Sequence, residues 1–346
     1  MTVLTWGEQE TKFFFELTPD RILDAVETSG VRCTGRCLPL NSMENRVYEV
    51  EIEVEDSSTL RSPSDAFRVI KFYRPGRWNE DQLRDEHQFL LDLTSAEVPV
   101  IAPVKLSDGD TLGKVEGIDV WYCVYPKQGG RIPSELGNDQ LLQVGRLLAR
   151  LHNVGSTKTA TSRVTIDPQS YGLNNLNYLL EAELIPEHIS TQYCDLVREI
   201  CELTQPWFKN LPVQRIHGDC HLGNLIWGSA GPFWVDFDDM LQGPPVQDLW
   251  LLVPGRDEYA QSQMRVLLEG YEQMRDFDHR TLKLIEPLRA LRFIHFSAWI
   301  GMRWKDPAFP RVFPEYGTEK YWTEQVSDLQ QQLRLIRERI SAEEYL

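Results

Sequence analysis

The stretch Arg215-Ile-His-Gly-Asp-Cys-His-Leu-Gly-Asn-Leu-Ile-Trp227, followed by Phe233-Trp-Val-Asp-Phe-Asp-Asp239, decides how this chain is read. It sets out a carboxylate (Asp219), an amide five residues on (Asn224), and a second carboxylate after a hairpin (Asp236). The apolar arms Leu225-Ile-Trp227 and Phe233-Trp-Val235 read as two short strands, with residues 228–232 as their turn. Phosphoryl transfer needs such a set. One carboxylate orients and deprotonates an attacking hydroxyl, while a carboxylate and an amide oxygen hold Mg²⁺ against phosphates. A His-Gly-Asp tripeptide alone arises often by chance, and an exposed acidic trio is usually a solvated turn. The joint order, flanked by β arms, carries the chemistry.

The rest of the chain sets limits on that reading. At 346 residues and 40.1 kDa it spans about two domains, or one domain of two lobes. Apolar residues make up 42% and aromatics 10%, which suffices for a core and excludes a wholly disordered chain. Its 36 basic and 52 acidic residues leave a net charge of −16. That balance argues against nucleic acid and against anionic membrane surfaces as partners. Residues 1–17 carry Glu8, Glu10, Lys12 and Glu16 in place of a basic and then apolar leader, so no signal peptide is expected. No apolar run reaches the roughly 18 residues of a spanning helix, and a cytoplasmic monomer is expected. The six cysteines are scattered. Cys33 and Cys37 lack a second pair for zinc, and adjacent Cys220 and His221 would point apart, so structural thiols are expected.

Residues 32–125 read as strand-rich. Residues 45–54 and 67–73 are β-like, the first alternating charged and apolar positions, and 120–125 is a further strand. Between them, 79–93 reads as a helix capped by Asn79, with acidic Glu80 and Asp81 at its positive end. After Gly129-Gly130 the pattern turns helical, over 138–152, 194–209, 261–274, 281–304 and 321–340. The expectation is an α+β fold of two lobes. A small β-rich N-lobe (1–128) faces a larger helical C-lobe (129–346) across a ligand-binding cleft.

The decisive stretch resembles the catalytic and metal-binding loops of the kinase-like phosphotransferases, which include aminoglycoside and choline kinases. Over residues 13–322 the chain is similar to the bacterial stress response kinases, serine/threonine protein kinases on that fold. The resemblance rests on Leu40-Asn-Ser-Met-Glu-Asn-Arg-Val-Tyr48, Val69-Ile-Lys-Phe-Tyr-Arg-Pro75 and His217-Gly-Asp-Cys-His221. Further on it rests on Gly243-Pro-Pro245 running into Val246-Gln-Asp-Leu-Trp250, and on Glu286-Pro-Leu-Arg289. It implies ATP as phosphate donor, Mg²⁺ as cofactor and a protein Ser/Thr hydroxyl as acceptor. Asp219 would be the catalytic base, with Asn224 and Asp236 as metal ligands. Lys71 would pair with the phosphates, oriented by Glu86 in preference to the adjacent Asp85. Ser42 and its neighbours would stand in for a glycine-rich loop, since no G-x-G-x-x-G occurs. Adenine would lie against residues 123–126. Asp248 would either brace the catalytic loop or simply cap a helix; His217 would organise the loop, and His221 has no assigned part.

Other readings stay open at this point. Only eleven residues separate Asp236 from Asp248, too few for a phosphorylation-switched activation segment, so the C-terminal helices must hold the acceptor. Asp238, Asp239, Asp257 and Glu258 would make that region acidic, which suits a basic peptide or a cationic small molecule. A small-molecule phosphotransferase of the aminoglycoside or choline kinase type is therefore the alternative. A nucleotide-binding pseudokinase and an acidic scaffold recruiting through residues 321–340 are weaker ones.

Overall fold

The computed structural model describes residues 14–344 except 15, 57 and 59, with side chains to 341. The leader-free reading of residues 1–17 thus falls almost wholly outside the described residues. The first part of the fold comprises helix α1 (Pro19–Glu27), strands β1 (Cys33–Leu40), β2 (Arg46–Ile52) and β3 (Phe67–Phe72), helix α2 (Glu80–Ser95), and strands β4 (Gly113–Lys114) and β5 (Trp121–Pro126). The strands form one antiparallel sheet in the order β1-β2-β3-β5-β4.

Strand periodicity sends alternate β3 side chains to opposite faces. Ile70 and Phe72 join Ile22, Val26 and Val50 in a core under α1, while Tyr73 packs with Leu83 on the α2 side. Lys71 shares that α2 side and is only 5% exposed, so it is no solvent-facing strand lysine. Asn79 and Gln82 cap α2 reciprocally, each side chain accepting the other's backbone N–H at 2.9 Å. The cap fixes the helix register that turns Leu83, Glu86, Leu90 and Leu93 inward.

The larger part holds α3 (Asn138–Gly155), α4 (Asn174–Glu181), α5 (Glu187–Phe208), β6 (Gln214–Ile216), β7 (Leu225–Gly228), β8 (Gly231–Trp234) and β9 (Leu241–Gly243). It continues with α6 (Val246–Leu252), α7 (Glu258–Glu272), α8 (Ile285–Arg303), α9 (Ala308–Val312) and α10 (Glu319–Glu344). An α+β bilobal, kinase-like fold results, as expected. Among the described residues no helix is long and apolar enough to cross a membrane.

Some boundaries differ from the sequence reading, for local reasons. The stripe Ile189, Tyr193, Val197 and Ile200 carries α5 back to Glu187, ahead of the expected start at 194. The expected helix over 281–304 divides into a 3₁₀ turn (His279–Leu284) and α8. Pro287 sits in the first turn of α8, where its missing N–H needs no partner.

His87 of α2 is a buried imidazole whose Nδ1 and Nε2 meet Thr111 Oγ1 (2.8 Å) and the Tyr73 hydroxyl (3.0 Å). Burial, reinforced by Lys71, pushes its pKa from 6.5 down to about 3. The unfolded chain takes up this proton near pH 6.5 and the native state only near 3. Stability is therefore full above pH 6.5 and is lost as the pH falls through that window. The slope is about 1.4 kcal/mol per pH unit for this residue. Buried His152 and His295 are lowered as well, and add in the same direction. The contribution of His87 itself should thus be about 2 kcal/mol smaller at pH 5 than at pH 7, read from chemical denaturation of wild type and His87→Gln at both pH values. A wild-type advantage that does not change with pH would contradict the neutral burial of this ring.

Candidate active site

Antiparallel pairing of β6 with β9 lays Ile216 against Leu241 and brings the two acidic loops side by side. Gly218 is the point of closest approach. Its φ is +85°, and an added Cβ would lie 2.3 Å from the main-chain oxygen of Asp239. Gly218→Ala should cost about 1–3 kcal/mol, from positive φ and the clash together. Thermal denaturation and turnover should fall jointly; an unaffected variant would show that the loops are not held in this contact.

Asp248 braces the loop. It is fully buried inside α6, not at the helix cap, and its Oδ2 and Oδ1 accept the backbone N–H groups of His217 (2.9 Å) and Gly218 (2.8 Å). His152 Nε2 meets the same Oδ2 at 3.0 Å. The His217 ring packs on Phe237, centroids 4.4 Å apart, and its Nε2 donates to the Val235 carbonyl at 2.9 Å. That organising part matches the expectation for His217.

With the loop so held, Asp219 and Asn224 become neighbours. Asn224 Nδ2 donates to the main-chain oxygen of Asp219 (3.0 Å), leaving Oδ1 as the end of the amide for another ligand. The Asp219 carboxylate meets His221 Nε2 at 3.2 Å and the Arg292 guanidinium at 2.9 Å. Burial works to raise its pKa. The His221 hydrogen bond and then Arg292 outweigh burial and hold the carboxyl well below the ordinary range. Asp219 is thus ionised and able to accept a hydroxyl proton. His221, left without a part by its sequence, orients this carboxylate and accepts the Gly223 N–H at 2.9 Å.

Asp236 has left-handed backbone, φ 60° and ψ 70°, unusual for a residue with a Cβ and typical of strain kept at functional positions. Across from it, Lys71 Nζ lies 2.9 Å from Glu86, 3.4 Å from Asp238 and 3.6 Å from Asp236. Burial opposes the charge on Lys71, but Asp238 and Glu86 overcome it and raise its pKa well above the usual lysine value. Glu86 is held from its other side by Arg163 at 3.1 Å, whereas Asp85 turns away to accept the Ser162 N–H. Glu86 is therefore the partner of Lys71.

Asp236 and Asn224 bring oxygen donors to this part of the cleft, which suits a hard divalent cation. The Asp236 side chain is about half exposed (52%) and stands beside Asp238 and Glu86, a crowding of negative charge that a cation would relieve. Among the described residues no three His, Cys, Asp or Glu form a metal cage of their own. The Asp236 carboxylate and the Asn224 amide oxygen are a pair of donors that would fit an ion arriving largely coordinated by phosphates and water.

Ser42 lies half-buried in the turn between β1 and β2. That turn is fastened across the cleft. Asn45 Nδ2 donates to Asp238 (3.1 Å), and Glu44 meets Arg303 (3.0 Å), Arg74 (3.2 Å) and the Trp299 indole N–H (2.7 Å).

Next to Asp219 opens a cavity of about 180 Å³ lined by Arg77, Tyr171, Arg292, His295 and Trp299. Glu44, Asp219 and Asp239 also line it, so the expected acidity of this region is present but paired with arginines. Arg77 pairs with both Asp238 and Asp239, and Asp257 caps α7 by accepting the Ala260 N–H. These arginines lie 73 or more residues from the acids they meet and were missed in the sequence reading. The one visible signal was the helical spacing of Arg292, His295, Phe296 and Trp299.

The phosphotransferase enzyme family model matches residues 37–285, a span that contains the two acidic loops. The chain belongs to this family. Stress response kinase A of Escherichia coli K12 is 40% identical over 326 residues, covering 94% of this chain and 95% of the relative. The serine/threonine protein kinase RdoA of Salmonella typhimurium is 38% identical over the same lengths. Among solved structures, a microcompartment-associated aminopropanol kinase aligns with a TM-score of 0.66 at 18% identity, covering 94% of this phosphotransferase and 98% of that chain. The amicoumacin kinase hAmiN, in complex with AMP-PNP, Ca²⁺ and Ami, aligns at 0.64 and 19%, covering 87% and 92%. These two likenesses establish the fold.

Proposed function

We propose that this phosphotransferase is an ATP- and Mg²⁺-dependent serine/threonine protein kinase of a bacterial stress response. The observation that carries the reading is identity of about 40% over 94% of the chain with relatives named as stress response kinases, one of them a serine/threonine protein kinase. Two features of the site support it. The cavity beside Asp219 is about 180 Å³, smaller than the roughly 300–1,000 Å³ of sites for drug-sized ligands, and suits a single side chain better than an aminoglycoside. Arg292, part-exposed beside Asp219, also disfavours a cationic group at that position.

In this account the ATP phosphates lie between Lys71 and the turn bearing Ser42, with adenine against residues 123–126. Lys71, aligned by Glu86, neutralises phosphate charge. Asp236 and Asn224 hold Mg²⁺, which supplies charge neutralisation at the phosphates. Asp219 orients the acceptor hydroxyl. Its oxygen bonds to the γ-phosphorus as the bond to the β,γ-bridging oxygen breaks; ADP leaves, and the proton passes to the Asp219 carboxylate. The working unit is a cytoplasmic monomer, with its lobes meeting between residues 128 and 129.

Incubation with γ-labelled ATP and Mg²⁺ tests the reading, in the presence of a generic protein and a panel of amino alcohols. Label on protein serine or threonine supports it. Label confined to the amino alcohols overturns it in favour of a small-molecule kinase.

A further inference from the structure

The acceptor side of the cleft carries a charge pattern that the kinase chemistry itself does not require. Helix α8 presents Arg292, His295, Phe296 and Trp299 at steps of three and four, a single stripe facing the catalytic loop. Each carboxylate near this stripe is already engaged. Glu44 is held by Arg303, Arg74 and the Trp299 indole, Asp239 is paired with Arg77, and Asp219 is reserved for the reacting hydroxyl. Arg77 is buried against its acids. The Arg292 side chain is 39% exposed at the cavity, and its ion pair is with the base itself at 2.9 Å. Burial, then Arg292 and Arg77, keep the buried His295 ring neutral, so the wall behind the guanidinium adds no charge of its own. The Tyr171 ring stacks on His295 with centroids 3.9 Å apart and makes that wall flat.

An amine entering this cavity would meet the Arg292 guanidinium, and Asp239, the part-exposed carboxylate that lines it besides the base, is already paired with Arg77. A carboxylate would find a planar donor fork, the geometry in which Arg binds carboxylates through two parallel hydrogen bonds. Arg292 stands one hydrogen-bond length from Asp219, so the anion it reaches must be a near neighbour of the reacting hydroxyl.

Resting on the serine/threonine kinase reading above, we propose that Arg292 is a specificity-determining residue that selects acceptor serines or threonines flanked by an acidic side chain. The preferred substrate is an acidic segment of protein, the opposite of the basic peptide that the net charge of the chain suggests. Arg292 exchanges its pairing with Asp219 for the substrate carboxylate as the hydroxyl takes its place on the base.

The test uses the full-length enzyme and peptides with one serine flanked by Asp, Ala or Lys, read as ratios of kcat/KM. The wild type should favour the Asp peptide over the Ala peptide by about 10- to 100-fold, the range of one charge-assisted hydrogen-bonded pair. Arg292→Lys should keep the order with a smaller ratio, Arg292→Gln should bring the ratio near unity, and Arg292→Glu should favour the Lys peptide. Because each ratio is internal to one variant, a general loss of activity or stability does not imitate the result. Phosphorylation of all three peptides at equal efficiency, or a preference for Lys in the wild type, overturns the selection by Arg292 and leaves the protein kinase reading standing. Transfer to amino alcohols with none to any peptide overturns both.

Discussion

Asp219→Asn should lower kcat by about 10³-fold, within the range attributed to a positioned general base and equivalent to roughly 4 kcal/mol of transition-state stabilisation. The amide keeps the size of the side chain and can still receive the Arg292 donor on its oxygen, at 2.9 Å in the native site. It has no carboxylate to accept the hydroxyl proton. Lys71, Glu86, Asp236 and Asn224 are untouched, so affinity for Mg-ATP, measured by calorimetry, should change by less than a few-fold. A joint loss of binding and turnover would place Asp219 in nucleotide binding instead. Retained turnover would remove it as the base.

Asp248→Ala should have the second largest effect, on stability as well as rate. The carboxylate is fully buried and satisfies two backbone N–H groups of the catalytic loop along with His152. Truncation leaves these donors without an acceptor in a site closed to water. An unsatisfied buried donor costs about 1–3 kcal/mol, so a loss near 3–5 kcal/mol is expected for the set. Denaturant titration should show this drop, and kcat should fall with it because His217 and Gly218 position Asp219. Asp248→Asn keeps one acceptor oxygen and should retain part of both. A stable, fully active Asp248→Ala enzyme would mean that the loop is held by its β6 and β9 flanks alone.

Local patterns made much of this molecule readable in advance. The two β arms around a short turn produced the β7–β8 hairpin, and the Asn79 cap starts α2 in the register that points Glu86 at Lys71. Asp248 was ambiguous because a helix-start aspartate serves equally as a cap or a brace; its burial and its bonds to His217 and Gly218 decide for the brace. The short strands β6 and β9, three residues each, carry too little periodicity to be seen, yet their pairing brings the acidic loops together. Charge at the acceptor site was the least legible feature. Asp238 and Asp239 read as exposed acids from their neighbours in sequence, but Arg77, more than 160 residues earlier, pairs with both in the fold. Arg292 lies within the helix expected over 281–304, and only the fold shows that it faces Asp219.

The proposed function puts Mg-ATP at Asp236, Asn224 and Lys71 on one side of Asp219 and the acceptor in the Arg292 cavity on the other. A crystal structure with Mg²⁺ and a non-hydrolysable ATP analogue should show metal density bound by Asp236 and the Asn224 Oδ1, phosphates within reach of Lys71, and an Asp219-side cavity still open to an acceptor hydroxyl. A metal held elsewhere, or phosphates lying in the Arg292 cavity, would contradict that placement.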